Sequence, residues 1–304
     1  MVYEQYLKMK VKGVILAGGN SSRLFPATKC FTKHFLTIYD KPLIYYPLST
    51  LMLAGIKDIL IIVKKNELDL YKKLLGNGEF LGLSIKYEIQ ESPRGIADAL
   101  FICKKFVGKS NFYLILGDNL FFGTLFSKIL NDSRKLKNKN SCLFVSEVDD
   151  PSEFGVLKFD KNNLPCEIVE KPKKKLSNKV VTGMYFYKPK VFELLKKIRK
   201  SSRGEYEISS INNLFLNNND CKIIYLNRGF TWLDTGNADN LLQASQFVQA
   251  YQKRQGFMIA CIEEIALNKN YIKLNQFSKL IKNYKNSQYG KYLRKIYENK
   301  KHKL

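Results

Sequence analysis

The chain has 304 residues, 45% of them apolar, with six cysteines, two histidines and a formal net charge of +24. This length suits one large α/β domain, or one domain with a smaller appendage. Six scattered cysteines with no C-x-x-C pair exclude a disulfide framework and a zinc site, and His34 and His302 alone exclude a His-based metal centre or a Ser-His-Asp triad, so any metal is expected to be a hard cation held by carboxylates.

In chain order, the first element is the apolar run Val11–Ala17, read as a buried strand. It ends in Leu16, Ala17, Gly18 and Gly19, then Asn20, Ser21, Ser22 and Arg23. Glycines lack a Cβ, so a phosphate can approach the backbone and be met by its N–H groups. Arg23 adds a forked cation for the same oxygens, and Lys33 follows ten residues later. There is no G-x-x-x-x-G-K-[ST] and no G-x-G-x-x-G, so the loop is neither a Walker A site nor a dinucleotide fingerprint.

Helical patterns at 42–54, 66–75 and 95–106 alternate with strand patterns at 59–63, 84–89 and 112–116. This alternation predicts βαβ units and a mostly parallel sheet covered by helices on both faces. Ligands of such sheets sit beyond the C-terminal strand ends. Asp118, in Gly117-Asp118-Asn119, follows the fourth strand; it is either a cation ligand or an ordinary turn residue. Gln90 leaves the third strand and Gly95 opens the next helix, which suits the edge and face of a base or else a plain strand-to-helix turn.

The second half is richer in strands, at 141–147, 155–159, 166–169, 180–187 and 221–226, with helices at 205–216 and 237–254. Beyond these the lysine-rich remainder reads as helices at 275–283 and 289–299. The reading divides the chain into a core at 1–240 and a C-terminal helical region at 241–304. Glu170-Lys171-Pro172 places opposite charges where a strand ends, and Arg203-Gly204-Glu205 forms a second charged knot. Asp234, in Trp232-Leu233-Asp234-Thr235-Gly236, is either a second cation ligand or the N-cap of the following helix.

No stretch of 18 apolar residues appears, and Met1–Lys10 has no apolar core of signal-peptide type, so a cytoplasmic protein without a membrane span is expected. Only eight of the 51 basic residues are arginine, and the lysines recur throughout without a nucleic-acid-binding motif. That pattern favours polyanionic small substrates over specific nucleic-acid binding.

Taken together, these segments resemble the sugar-phosphate nucleotidyltransferase family. The resemblance runs from about Lys12 to Leu293. The glycine loop and Glu170-Lys171-Pro172 are shared across that family; Tyr39-Asp40-Lys41-Pro42 and Trp232-Leu233-Asp234-Thr235-Gly236 point to its thymidylyl branch. The resemblance implies a Rossmann-like nucleotidyltransferase fold. It also implies that the phosphate of glucose 1-phosphate attacks the α-phosphorus of dTTP, giving dTDP-glucose and pyrophosphate.

By the same resemblance, Leu16, Gly18, Gly19, Ser21, Ser22, Arg23, Lys33, His34, Gln90 and Gly95 would bind the nucleotide. Arg23, Lys33 and Lys171 would be catalytic. Asp118 and Asp234 would hold Mg2+. Gly155, Glu170, Lys171, Val181 and Arg203 would bind the sugar phosphate. A homotetramer is implied, and a second nucleotide site near Arg228-Gly229 and Glu263-Glu264. The chain departs from the family pattern at Ser21, where glycine is usual, at His34, where glutamine is usual, and at Phe154 and Val169. Transfer from UTP, or a non-catalytic subunit of the same fold, are the alternatives. The second would be expected to lack Arg23, Asp118 or Asp234, and all three are present.

Overall fold

The computed structural model describes residues 10–302. Apolar runs with no polar face can be satisfied only inside a sheet covered on both sides, and this chain builds one. Strand β1 (Val11–Ala17) leads to a short hairpin of β2 (Thr37–Ile38) and β3 (Lys41–Pro42). Then come α1 (Tyr45–Leu53), β4 (Asp58–Val63), α2 (Leu68–Leu75), β5 (Ser84–Ile89), α3 (Asp98–Val107) and β6 (Asn111–Leu116). Strands β5, β4, β1 and β6 lie side by side in parallel, with Ile15 opposite Ile61 on one neighbour and Ile115 on the other. Alternate residues face opposite ways. Thus Val14, Leu60 and Leu114 enter one buried cluster, while Ile15, Ile61 and Ile115 enter the other.

The chain continues through β7 (Asn119–Gly123), α4 (Phe126–Ser133), β8 (Ser141–Glu147), β9 (Gly155–Phe159), β10 (Pro165–Glu170) and β11 (Lys179–Tyr187). It then forms α5 (Val191–Leu194), α6 (Ile208–Asn217), β12 (Cys221–Tyr225), β13 (Phe230–Asp234) and α7 (Ala238–Gln255). Strand β11 runs antiparallel to β6 and carries the sheet on to β9 and β10, with β8 and β12 paired alongside, making nine strands in all. The result is the expected mixed, mostly parallel sheet flanked by helices.

Helices α8 (Ile262–Asn268), α9 (Leu274–Ile281) and α10 (Gln288–Lys301) end the chain. Their Ile262, Phe277 and Leu293 join the cluster that holds Ile15 and Leu48, so this region shares the core. Helix α7 runs straight through residue 240, where the sequence reading placed a division. No described helix is long and apolar enough to cross a membrane.

Some boundaries shift for local reasons. The helix expected from 42 starts at Tyr45, because Lys41–Pro42 closes the hairpin. The one expected from 95 starts at Asp98, because Gly95 has φ +100° and cannot be helical. The one expected from 205 starts at Ile208, after an extended Glu207. Elements β7, α4, α5, β13 and α8 were not anticipated. The most consequential is the two-stranded ribbon of β7 and β13, which pairs Asp234 with Asn119.

Candidate active site

Beyond the C-terminal ends of β1 and β6 lies a cavity of about 670 Å³. Leu16 and Gly19 form its edge at β1, and a Cβ on Gly19 would meet only open space. A Cβ on Gly18 would overlap the Gln90 amide, so the loop needs glycine there. Ser21 has φ +56°, the left-handed conformation that glycine adopts without strain, and Thr28 Oγ1 donates to its carbonyl at 2.8 Å. Ser22 opens a short 3-10 turn that carries Arg23. Neither serine side lines the cavity, whereas Arg23 does.

The ribbon brings the two acids together. Thr235 donates from both its N–H (3.0 Å) and its Oγ1 (2.8 Å) to the Asp118 carbonyl, pinning the end of β13 beside β6. Asn119 sits fully buried between the carboxylates. Its Nδ2 donates to Asp118 Oδ1 at 3.0 Å and lies 3.5 Å from Asp234 Oδ2, while its Oδ1 accepts from Trp232 Nε1 at 2.6 Å. Asp234 is not the cap of the next helix. Asn237 is, with Oδ1 accepting from Asn240 N–H at 2.8 Å, and Asp234 Oδ1 instead accepts from Gly236 N–H at 2.9 Å.

The charges are strongly coupled. Burial alone would raise the Asp118 carboxyl, but the Lys33 ammonium, paired directly to Oδ2, holds it well below the usual carboxylate range. Asp234 is pushed up, first by burial and then by the charge of Asp118. Arg23 packs against the same corner, since a Cβ on Gly236 would lie 2.7 Å from both Arg23 Nη2 and Asp234 Oδ1.

Asp118, held ionised by Lys33, and Asp234, whose carboxyl is raised by burial and by the Asp118 charge, present two buried hard-oxygen donors side by side. No group of three or more His, Cys, Asp or Glu that could hold a metal occurs among the described residues. A cation here would take its other ligands from water and substrate oxygens. That suits Mg2+, which binds through one or two carboxylates plus phosphates. Asp118 and Asp234 therefore fit the ion.

His34 lines the cavity but is almost fully buried, its Nδ1 2.7 Å from Thr32 Oγ1. Burial first, then Lys33, lowers its pKa to about 3, so it stays neutral. A native-state titration of His34 near neutral pH, which this residue type invites, does not occur. Gln90 is buried, and its Nε2 donates to Asp98 Oδ2 at 2.9 Å. Gln90 and Gly18 line a smaller neighbouring cavity of about 460 Å³ with Lys64 and Lys65. Gly95 lines neither of these cavities; it packs on the Tyr206 backbone, where a Cβ would come within 2.5 Å of the carbonyl.

The other end of the large cavity is set by strand register. Gly155 on β9 is opposite Glu170 on β10 and Val181 on β11, so the three form one row across the sheet. The missing Cβ at Gly155 leaves the space into which Glu170 reaches. Burial, then the charge of Glu207, raises the Glu170 carboxyl. Strand β10 ends at Glu170, and Lys171 turns off it with φ +44°, so consecutive residues both reach the cavity. Lys171 Nζ and Arg23 Nη1 each lie 3.1 Å from Glu153 Oε2, so one exposed carboxylate spans both cations. Arg203 is engaged elsewhere: its fork meets Glu207 at 2.9 Å, with Glu170 at 3.9 Å. Phe154 stacks edge-on against Trp232, ring centroids 5.1 Å apart.

Sequence reasoning missed Asn119, Glu153 and Asn212, all of which line the cavity. The acids Glu263 and Glu264, expected near a second nucleotide site, are occupied by the fold. Tyr284 and Tyr289 hydrogen-bond to the fully buried Glu263, and Tyr292 donates to Glu264 at 2.6 Å.

A sequence model described as Nucleotidyl transferase matches residues 12–251. A glucose-1-phosphate thymidylyltransferase of Neisseria meningitidis is 42% identical over 286 residues, spanning 94% of this chain and 99% of its own. The enzyme of that name from Mycobacterium tuberculosis is 38% identical, over 95% of this chain and 99% of its own. A Bacillus anthracis crystal structure assigned the same name superposes with a TM-score of 0.72 at 37% identity, covering 78% of this chain and 94% of its own. A UDP-glucose pyrophosphorylase structure, at 24% identity and a TM-score of 0.69, shares the fold.

Proposed function

From its membership of the nucleotidyl transferase family, to which this chain belongs, we propose that the protein transfers a thymidylyl group from dTTP to α-D-glucose 1-phosphate. A phosphate oxygen of the sugar bonds to the α-phosphorus of dTTP as the bond to the leaving oxygen breaks. The products are dTDP-glucose and pyrophosphate. No protein nucleophile is required, so rate comes from positioning and charge.

On this reading each residue takes a part. The backbone of Gly18, Gly19, Ser21 and Ser22 cradles the phosphates beside Leu16. Arg23 and Lys33 neutralise charge on the triphosphate. Lys171 holds the sugar phosphate, and exchanges Glu153 for it on binding. Gln90, with its amide fixed by Asp98, faces the base, and His34 contacts the nucleotide as a neutral ring. Gly155, Glu170 and Val181 bind the hexose, with Arg203 holding Glu207 and Glu170 in place. Asp118 and Asp234 would hold Mg2+, which when bound supplies positive charge to phosphate oxygens. The active form on this reading is a homotetramer, and sedimentation of the purified protein tests that assembly.

One observation carries the reading. Arg23, Lys33, Lys171, Asp118 and Asp234 border the same cavity as the Gly155–Glu170–Val181 row. The test is pyrophosphate release from dTTP, UTP and the other nucleoside triphosphates with glucose 1-phosphate, with and without Mg2+. Release from dTTP that needs both sugar phosphate and Mg2+ supports the proposal. Preference for UTP by a large factor overturns the choice of nucleotide.

A further inference from the structure

At the sugar end of the cavity one buried polar atom has no partner among the described residues. It is Nδ2 of Asn212, a residue 1% exposed that lines the cavity. A buried donor left without an acceptor is costly. Its direction is set from behind, because the fully buried Tyr187 hydroxyl donates to Asn212 Oδ1 at 2.6 Å. Turning the amide over would face that hydroxyl with an NH2 group and strand the phenol's own proton. The helix cannot swivel to relieve this. The next residue, Asn213, clamps α6 to β10 by accepting from Ile168 N–H at 2.7 Å and donating to Ile168 O at 2.9 Å.

The surroundings indicate what Asn212 meets. Nearby stand Ser209 on the same face of α6, the carboxylates Glu170 and Glu207, and the apolar Ile168 and Tyr185. Two carboxylates disfavour a phosphate here, and the cations Arg23 and Lys171 sit together at Glu153 instead. A neutral polyol fits.

The geometry points to Asn212 as a specificity-determining residue whose Nδ2 donates a hydrogen bond to one hydroxyl of the hexose, with Tyr187 the positioning residue that aims it. This rests on the sugar 1-phosphate reading above.

The test is steady-state kinetics of wild type, Asn212→Ala and Tyr187→Phe with glucose 1-phosphate and each of its monodeoxy analogues, with thermal unfolding in parallel. In Asn212→Ala, kcat/KM for glucose 1-phosphate falls about ten- to a hundredfold, while KM for dTTP stays within about twofold. Wild type suffers a similar loss with one deoxy analogue, and Asn212→Ala suffers no further loss with that analogue. Equal penalties in both proteins for every analogue, or a rise confined to the dTTP KM, overturn the inference. If Asn212→Ala does not fold, Tyr187→Phe decides. A smaller penalty for the same analogue supports the inference, and an unchanged penalty overturns it. Absence of any wild-type turnover with glucose 1-phosphate would remove the premise itself, and is told apart by the wild-type control.

Discussion

Replacing Asp118 by Asn keeps side-chain volume and removes one charge at the centre of the site. Asp118 pairs with Lys33, and the two side chains are 11% and 13% exposed. A pair of unit charges about 4 Å apart interacts by about 4 kcal/mol at an effective dielectric of about 20. Breaking a buried pair by removing one partner costs about 3–5 kcal/mol. The Asn amide recovers part of that as an acceptor for Lys33, so the expected loss of stability is about 2–3 kcal/mol. On the proposed reading catalysis should suffer more, because Asp118 would be one of two protein ligands to the cation; a fall in kcat of about a thousandfold or more is expected. Loss of the Asp118 charge also lets the Asp234 carboxyl drop back toward its ordinary value. Urea unfolding measures the first effect and pyrophosphate release the second. A folded Asp118→Asn enzyme retaining more than a tenth of wild-type turnover would refute the role assigned to this carboxylate.

Other consequences are open to equally simple measurement. Ser21→Gly relieves a left-handed conformation of about 1 kcal/mol, set against the greater chain entropy of glycine, so a gain of at most about 1 kcal/mol is expected in urea unfolding; a loss would show that the serine side chain holds the loop. His34 is neutral in the fold with a pKa of about 3, against about 6.5 for a solvated imidazole. Stability attributable to it is therefore complete above pH 6.5 and declines as the unfolded chain takes up a proton below it, by about 2 kcal/mol between pH 6.5 and 5. His34→Gln should flatten that slope, and an identical slope in both proteins contradicts the assignment. Glu153→Gln removes the carboxylate that occupies Arg23 and Lys171. That pair is exposed and screened, so KM for glucose 1-phosphate should fall only about two- to threefold at low salt; a rise would mean that Glu153 assists binding.

The strands of the parallel half were legible because a strand buried on both faces has to be apolar throughout, as Ile59–Val63 and Phe112–Ile115 are. Strands β7 and β13 were not, since they form a separate ribbon with polar residues such as Asn119 and Thr231 among their aromatics. The charged residues of the site stood out in sequence because charge near a strand end asks for an explanation. Asn119 and Asn212 carry no charge, and their partners Trp232 and Tyr187 lie far along the chain, so only folding reveals them. Gly95 shows the opposite case. Its sequence position suits contact with a ring, yet its positive φ is spent on close packing against Tyr206.

The proposed reaction is a direct displacement at phosphorus, with nothing from the protein bonded to the nucleotide on the way. The stereochemical course at the α-phosphorus examines this most directly, followed by phosphorus NMR with dTTP carrying sulfur in place of one α-oxygen. A single in-line transfer to glucose 1-phosphate inverts the configuration. Retention would require two successive displacements through a covalent protein intermediate, and would contradict the account.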